Sequence, residues 1–189
     1  LAGRLGADAS FVAFGVSEDE RGHIEAVLAR AEALSEAHRH DEALAEFRAA
    51  RALIGRIASP ELELRALAGE GWALSERGEL REAIETLAAA RNLAEAHHFS
   101  DVHRADVLFR LGVCRYKLSS IATAVGLFDE ALALAERSGL PCDLLRADIL
   151  GWRSRCRCRQ RDFEAAQEDV ERALELAQAM DDRRVIANT

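Results

Sequence analysis

The chain contains one tyrosine, one methionine and two prolines. So few prolines leave few forced breaks in a helix. Alternating runs of Val, Ile and Thr, which half-buried strands require, are almost absent, and this excludes a sheet as the main architecture. No apolar run approaches the roughly 18 residues of a membrane helix, so no membrane partner is expected. The opening stretch, "LAGRLGADAS", has no basic end followed by an apolar core and is not a signal peptide. It also lacks methionine and starts in mid-pattern, so the chain is expected to be a segment of a longer protein. Four cysteines without an export signal are expected to be reduced thiols in a cytoplasm. No Gly-rich phosphate loop, nucleophile elbow or zinc-protease motif occurs. With no assembled acid, base and nucleophile, the chain is not expected to be an enzyme, and no cofactor is expected. A formal net charge of −8 argues against nucleic-acid binding through the overall field.

What is present is helix-forming. Ala, Leu, Glu and Arg dominate, with 49% hydrophobic and 31% charged residues, the balance of a folded, soluble chain. Four segments beginning at Ile24, Leu64, Ala105 and Ala147 align without internal gaps. Their period of about 40 residues is that of a stacked array. Each reads as an amphipathic helix, a polar turn such as "SERGEL" or "RQRDF", and a second amphipathic helix. Small residues recur in the first helices at Ala31, Gly71, Gly112 and Ser154. Second helices carry the pairs Ala43/Ala50, Ala83/Ala90, Ala124/Ala131 and Ala166/Ala173, with Phe47, Leu87, Phe128 and Val170 between them. These are the places where two helix backbones approach and a larger side chain fills the joint. Ser59-Pro60 reads as an N-cap with proline at the first helical position, and Ser17-x-x-Glu20 as a capping box. Gly139 and Pro141 break the chain between the third and fourth units.

The spacing L-x2-L-G followed by A-x3-F-x2-A resembles the tetratricopeptide repeat (TPR). The third unit carries it best, as Leu108, Leu111, Gly112, Ala124, Phe128 and Ala131. Arg30, Glu70 and Arg153 depart from it, standing where the pattern has an apolar residue, and the period exceeds the family's usual repeat. The resemblance implies an all-α, right-handed α-solenoid of about four helical pairs. Residues 17–189 then form the array, with repeats over 18–57, 60–98, 101–138 and 141–180 and a further helix opening at 182–189.

It also implies that first helices line a concave groove. Carried over position by position, the groove residues include Arg65, Trp72, Phe109, Arg110, Tyr116, Lys117, Trp152, Arg155 and Arg159, with Glu25, Glu32 and Glu36 from the first unit. Aromatic and arginine side chains are favoured binding anchors, and arginine forks onto carboxylates. Such a groove suits a peptide or protein ligand with an acidic group or free C-terminus. The competing reading is that these large residues pack between repeats. Within "GWRSRCRCRQR", Trp152, Arg155 and Arg159 share the groove side. Arg153, Arg157 and Arg161 share another face, where they are expected to pair with acids such as Glu164 or Glu168 or to be solvated.

Cys156 and Cys158 point about 200° apart on a helix and have no partners to complete a metal site. Cys156 falls at a packing position, whereas Cys158 lies beside arginines as a candidate reactive thiol. His38, His40, His97, His98 and His103 are read as solvated turn residues. Residues 1–16 do not match the repeat. Leu1, Ala2, Arg4, Leu5 and Gly6, then Phe11, Val12, Phe14 and Gly15, resemble the end of an XRE-family helix-turn-helix domain, against the alternative of a capping helix. That resemblance implies the sensor region of a bacterial transcription regulator, with a peptide or a small acidic effector bound in its groove. DNA would be bound only through a domain upstream of this chain, and palindromic operators would make a homodimer the expected assembly. The alternative is a TPR scaffold that joins proteins and has no DNA-binding role.

Overall fold

The computed structural model describes the backbone of residues 18–187 and the side chains of residues 19–180. The segment resembling a helix-turn-helix end, and Ser17 of the expected capping box, lie outside the described residues. Among those described, the chain forms eight α-helices and no strand. They are α1 (Glu18–Glu36), α2 (His40–Ile54), α3 (Pro60–Glu76), α4 (Leu80–Ala96), α5 (Asp101–Lys117), α6 (Ile121–Arg137), α7 (Asp143–Gln160) and α8 (Phe163–Ala187). Residues 182–187 continue α8 rather than opening a further helix, because nothing between Phe163 and Ala187 breaks the backbone ladder. The helices divide into two compact units, one ending at Leu93 and the other beginning at Ala94.

In the first unit α1 packs on α2, and α2 on α3. The buried stripe of α2 is Ala43, Leu44, Phe47, Ala50 and Ile54, one face of a 3.6-residue helix. The glycines of α3 admit large side chains against its backbone. A Cβ at Gly69 would lie 2.2 Å from Cζ of Phe47, and one at Gly71 would lie 2.5 Å from Cγ of Leu87. In the second unit α5 packs on α6, α6 on α7 and α7 on α8. Here Gly112 admits the ring of Phe128, whose Cε1 would be 2.5 Å from an added Cβ. In the second and third units the recurring small residue thus meets the larger residue between the alanine pair, whereas the Phe47 ring meets Gly69, which lies outside that set. The fourth unit differs: Val170 is exposed, and Asp169 beside it is buried.

The turn inside each helical pair is built the same way four times. His38, Gly78, Ser119 and Arg161 occupy one repeat position and are all left-handed, with φ between 57° and 85°. Each is followed by a residue whose N–H reaches back five positions: Arg39 to Leu34, Glu79 to Leu74, Ser120 to Arg115 and Asp162 to Arg157, at 2.9–3.0 Å. That bond satisfies a carbonyl left open at the helix end. Only Gly78 adopts this conformation without the cost a side chain adds. Ser59 does precede Pro60 at the start of α3, but its hydroxyl makes no capping bond, so the proline is what stiffens this entry. His40 opens α2 and His103 lies in the first turn of α5, where its Nδ1 is 2.7 Å from Ser100 Oγ; neither is a turn residue.

Candidate functional site

The helical period places Trp152, Arg155 and Arg159 along one side of α7, and α5 brings Tyr116 to meet them. The Tyr116 and Trp152 rings pack edge to face with centroids 5.4 Å apart. The Arg155 guanidinium lies 4.5 Å from the Trp152 ring centroid, and that of Arg159 lies 5.5 Å from the Tyr116 centroid. Arg159 also reaches Ser119 Oγ at 3.5 Å, a residue the sequence reading did not include. Among the described residues neither guanidinium is in an ion pair. Both are exposed, while the two rings are half-buried. Each cation is therefore held by an aromatic face, worth about 0.5–1 kcal/mol at such a site, with its N–H edges left for an incoming acceptor.

The other expected groove residues have different surroundings. Phe109 is buried and its ring lies 6.1 Å from that of Phe128, so it is a core contact and not part of an open face. Arg110 is half-buried and bonds Asp106 at 2.8 Å. Lys117 is half-buried. In the first unit Arg65 forks onto both carboxylate oxygens of Glu32, and Trp72 is half-buried. Asp148 lies two turns before Arg155 on α7. Crowding by surrounding protein raises its pKa, and the nearby Asp106 carboxylate raises it further, although part of its surface reaches solvent. The α5–α7 face therefore carries Asp106 and Asp148 toward one end and the ring-stacked guanidiniums of Arg155 and Arg159 toward the other.

The second set of arginines has a different role from the expected one. Arg153 is 7% exposed and Asp169 1% exposed. Arg153 forks onto both oxygens of Asp169 and sends Nη1 to Asp129 on α6 at 2.7 Å. Arg157 adds a bond of 3.1 Å to Asp169 and one of 2.9 Å to the Ala165 carbonyl. The acids are thus Asp169 and Asp129, not Glu164 or Glu168, because α8 turns Asp169 inward beneath Arg153. Burial by itself lowers the Arg153 pKa, but the bonds it donates to Asp169 and Asp129 more than offset this and leave it raised. Arg161 is exposed and ends α7 in the left-handed turn. Cys156 is buried, which pushes its thiol up to about 11, and Cys158 is exposed. Among the described residues no cluster of three His, Cys, Asp or Glu is placed to hold a metal ion, and no helix is long and apolar enough to cross a membrane.

No family model matches the chain, and comparison with curated proteins finds no sequence match. Solved structures do match. BtubC (BKLC) from P. vanneervenii superposes with a TM-score of 0.71 at 16% identity, covering 84% of this chain and 64% of that one. This chain therefore spans less than two thirds of BtubC. MamA from Desulfovibrio magneticus RS-1 gives a TM-score of 0.58 at 16% identity over 84% of this chain and 77% of MamA. The TPR2AB domain of yeast Sti1, in a complex with pHSP90, gives 0.53 at 14% identity over 82% of this chain and 78% of that one. The chain has the fold of TPR-like repeats. At these identities the likeness is one of fold. TPR-like geometry accounts for the glycine-to-aromatic joints and for first helices that share a face.

Proposed function

We propose that this TPR-like region is a binding module whose α5–α7 face takes an acidic peptide segment or a free C-terminus of a partner protein. One observation carries the reading: Arg155 and Arg159 are stacked on Trp152 and Tyr116, exposed, and without a carboxylate partner among the described residues. Two stacked forks spaced one helical turn apart match the two acceptor oxygens of a carboxylate, or two neighbouring acids. That a TPR domain of yeast Sti1 is held in a complex with pHSP90 is consistent with such a use of the fold.

The test is a titration of an acidic peptide with a free C-terminus, followed by Trp152 fluorescence and by calorimetry. Trp152→Ala and Arg155→Ala are each expected to weaken binding about tenfold or more, equivalent to ~1.4 kcal/mol. Their denaturation midpoints should move less than the affinity, because Arg155 is exposed and Trp152 is only half-buried. Midpoints that fall steeply while affinity holds would make these packing residues and end the reading.

A narrower reading rests on residues 1–16, whose pattern resembles the close of an XRE-family helix-turn-helix domain. On it, the module is the cytoplasmic sensor region of a bacterial transcription regulator that acts as a dimer. Effector binding then biases DNA affinity by favouring one of two packing states. The coding DNA upstream of Leu1 decides between this and a scaffold that joins proteins without touching DNA. An in-frame helix-turn-helix supports the regulator, and an unrelated domain there supports the scaffold.

A further inference from the structure

The turn between α5 and α6 holds a side chain that its backbone does not need. Ser119 has φ 60°, in the left-handed region, where a β-carbon is costly and serine is uncommon. Main-chain groups make the bonds of the turn. The Ser119 N–H donates to the Tyr116 carbonyl at 2.8 Å, and the Ser120 N–H to that of Arg115 at 2.9 Å. Gly78 makes the same pair in the α3–α4 turn, with its own N–H bonded to Ser75 at 3.2 Å and that of Glu79 to Leu74 at 3.0 Å. No hydroxyl is available at Gly78, and His38 and Arg161 fill the position in the other two turns. The fold therefore sets the backbone here and leaves the side chain open to another use.

At Ser119 that use is a contact with α7. Its Oγ accepts from Nη2 of Arg159 at 3.5 Å. The Arg159 guanidinium also lies 5.5 Å from the centroid of the Tyr116 ring. Tyr116 is the residue whose carbonyl holds the Ser119 N–H. One short stretch of chain thus meets the same cation twice, by the ring and by the hydroxyl. Arg159 is otherwise exposed. An exposed arginine gives up rotamer freedom when it closes on an anion, and a contact that restricts it beforehand removes part of that cost. The direction of the Ser119 Cα–Cβ bond follows from the left-handed φ, so the turn and the contact are one arrangement.

We infer that Ser119 is a positioning residue of the α5–α7 face: its hydroxyl steers Arg159 over Tyr116, so that the guanidinium meets an incoming carboxylate already oriented. This rests on the binding reading above and adds to it a residue outside the aromatic and arginine set. Ser119, Tyr116 and Arg159 all belong to the second compact unit. A bond of 3.5 Å is weak, so its share of the affinity is a few-fold.

The test titrates the acidic peptide with a free C-terminus against the chain, Ser119→Gly, Arg159→Ala and the two combined. Ser119→Gly is expected to raise the denaturation midpoint, because glycine relieves the turn, and yet to weaken binding about threefold. In the Arg159→Ala background the same change should leave affinity where it is. Ser119→Asn tolerates the turn and offers a side-chain oxygen, so it should recover most of what Ser119→Gly loses. In the free chain, NMR relaxation of the Arg159 Nε–H, assigned by its loss in Arg159→Ala, should show the guanidinium more mobile in Ser119→Gly. Three results would each overturn the role of Ser119 and leave the binding reading standing. They are unchanged Arg159 mobility, unchanged affinity in Ser119→Gly while Arg159→Ala weakens binding, and an equal loss with and without Arg159. If Arg155→Ala and Arg159→Ala bind the peptide like the unmodified chain, the binding reading falls, and the positioning role with it.

Discussion

Asp106 and Asp148 approach one another on the α5–α7 face, and Asp106 accepts a bond from Arg110 at 2.8 Å. The pKa of Asp148 is raised by surrounding protein and then by Asp106. A folded-state value above that of the unfolded chain means that protonation favours the fold. The favourable contribution is complete below the ordinary carboxylate range and is lost as pH rises through the folded value. Asp148→Asn is therefore expected to raise the denaturation midpoint at neutral pH, with the gain shrinking on acidification. A midpoint difference that is flat with pH, or that grows in acid, would show that Asp148 is not strained by its neighbours. The raised value was not legible in the sequence. Spacing assigned Asp106 and Asp148 to one face, but the approach of the two carboxyls depends on how closely α5 and α7 are packed.

At the scale of the helix, the same substitution should have opposite signs at two glycines. In α5 a Cβ at Gly112 would lie 2.5 Å from the Phe128 ring, whereas in α6 a Cβ at Gly126 meets nothing within 4 Å. Gly126→Ala is expected to stabilise by about 1 kcal/mol through helix propensity. Gly112→Ala is expected to destabilise by about 1–3 kcal/mol, because a buried ring must shift to admit the methyl group. Thermal or urea unfolding of the two variants reads both signs, and stabilisation by both would mean the Phe128 joint is loose. The role of Gly112 was visible in the repeat pattern, since a small residue recurs there in every unit. That of Asp169 was not. The pattern marked Val170 as the packing residue of α8, and the neighbouring register carries Glu46, Thr86 and Leu127, which share no chemistry. The one available signal was Arg153, a charge at a position that is apolar in the third unit, as Leu111. A buried guanidinium requires a buried carboxylate.

Across the whole molecule, each compact unit carries one tryptophan, Trp72 in the first and Trp152 in the second. Repeat arrays draw their stability from local and nearest-neighbour terms. Asp169→Asn leaves Arg153 short of a buried counter-charge and is expected to cost about 3 kcal/mol. With the other tryptophan replaced by phenylalanine, the midpoint reported by Trp152 should fall more than that reported by Trp72. Equal shifts would mean that the two units unfold as one cooperative body. The net charge of −8 acts at this scale too. Under the proposed function it repels an acidic ligand at a distance, so attraction to the α5–α7 face would be short-ranged and depend on contact with Arg155 and Arg159.

Helix content, the four helical pairs and the joints at Gly71 and Gly112 were determined by the sequence alone, because each is written in periods of three to four or about forty residues that local geometry imposes. The even spacing of "GWRSRCRCRQR" also separated its arginines into two faces. Which carboxylate each arginine meets was decided only in the tertiary structure. So was the stacking of Arg155 on Trp152, the burial of Phe109, and the pairing of Arg65 with Glu32. Periodicity specifies the direction in which a side chain leaves its own helix. Its partner depends on the distance and rotation of the neighbouring helix, which are set by how many side chains pack at once.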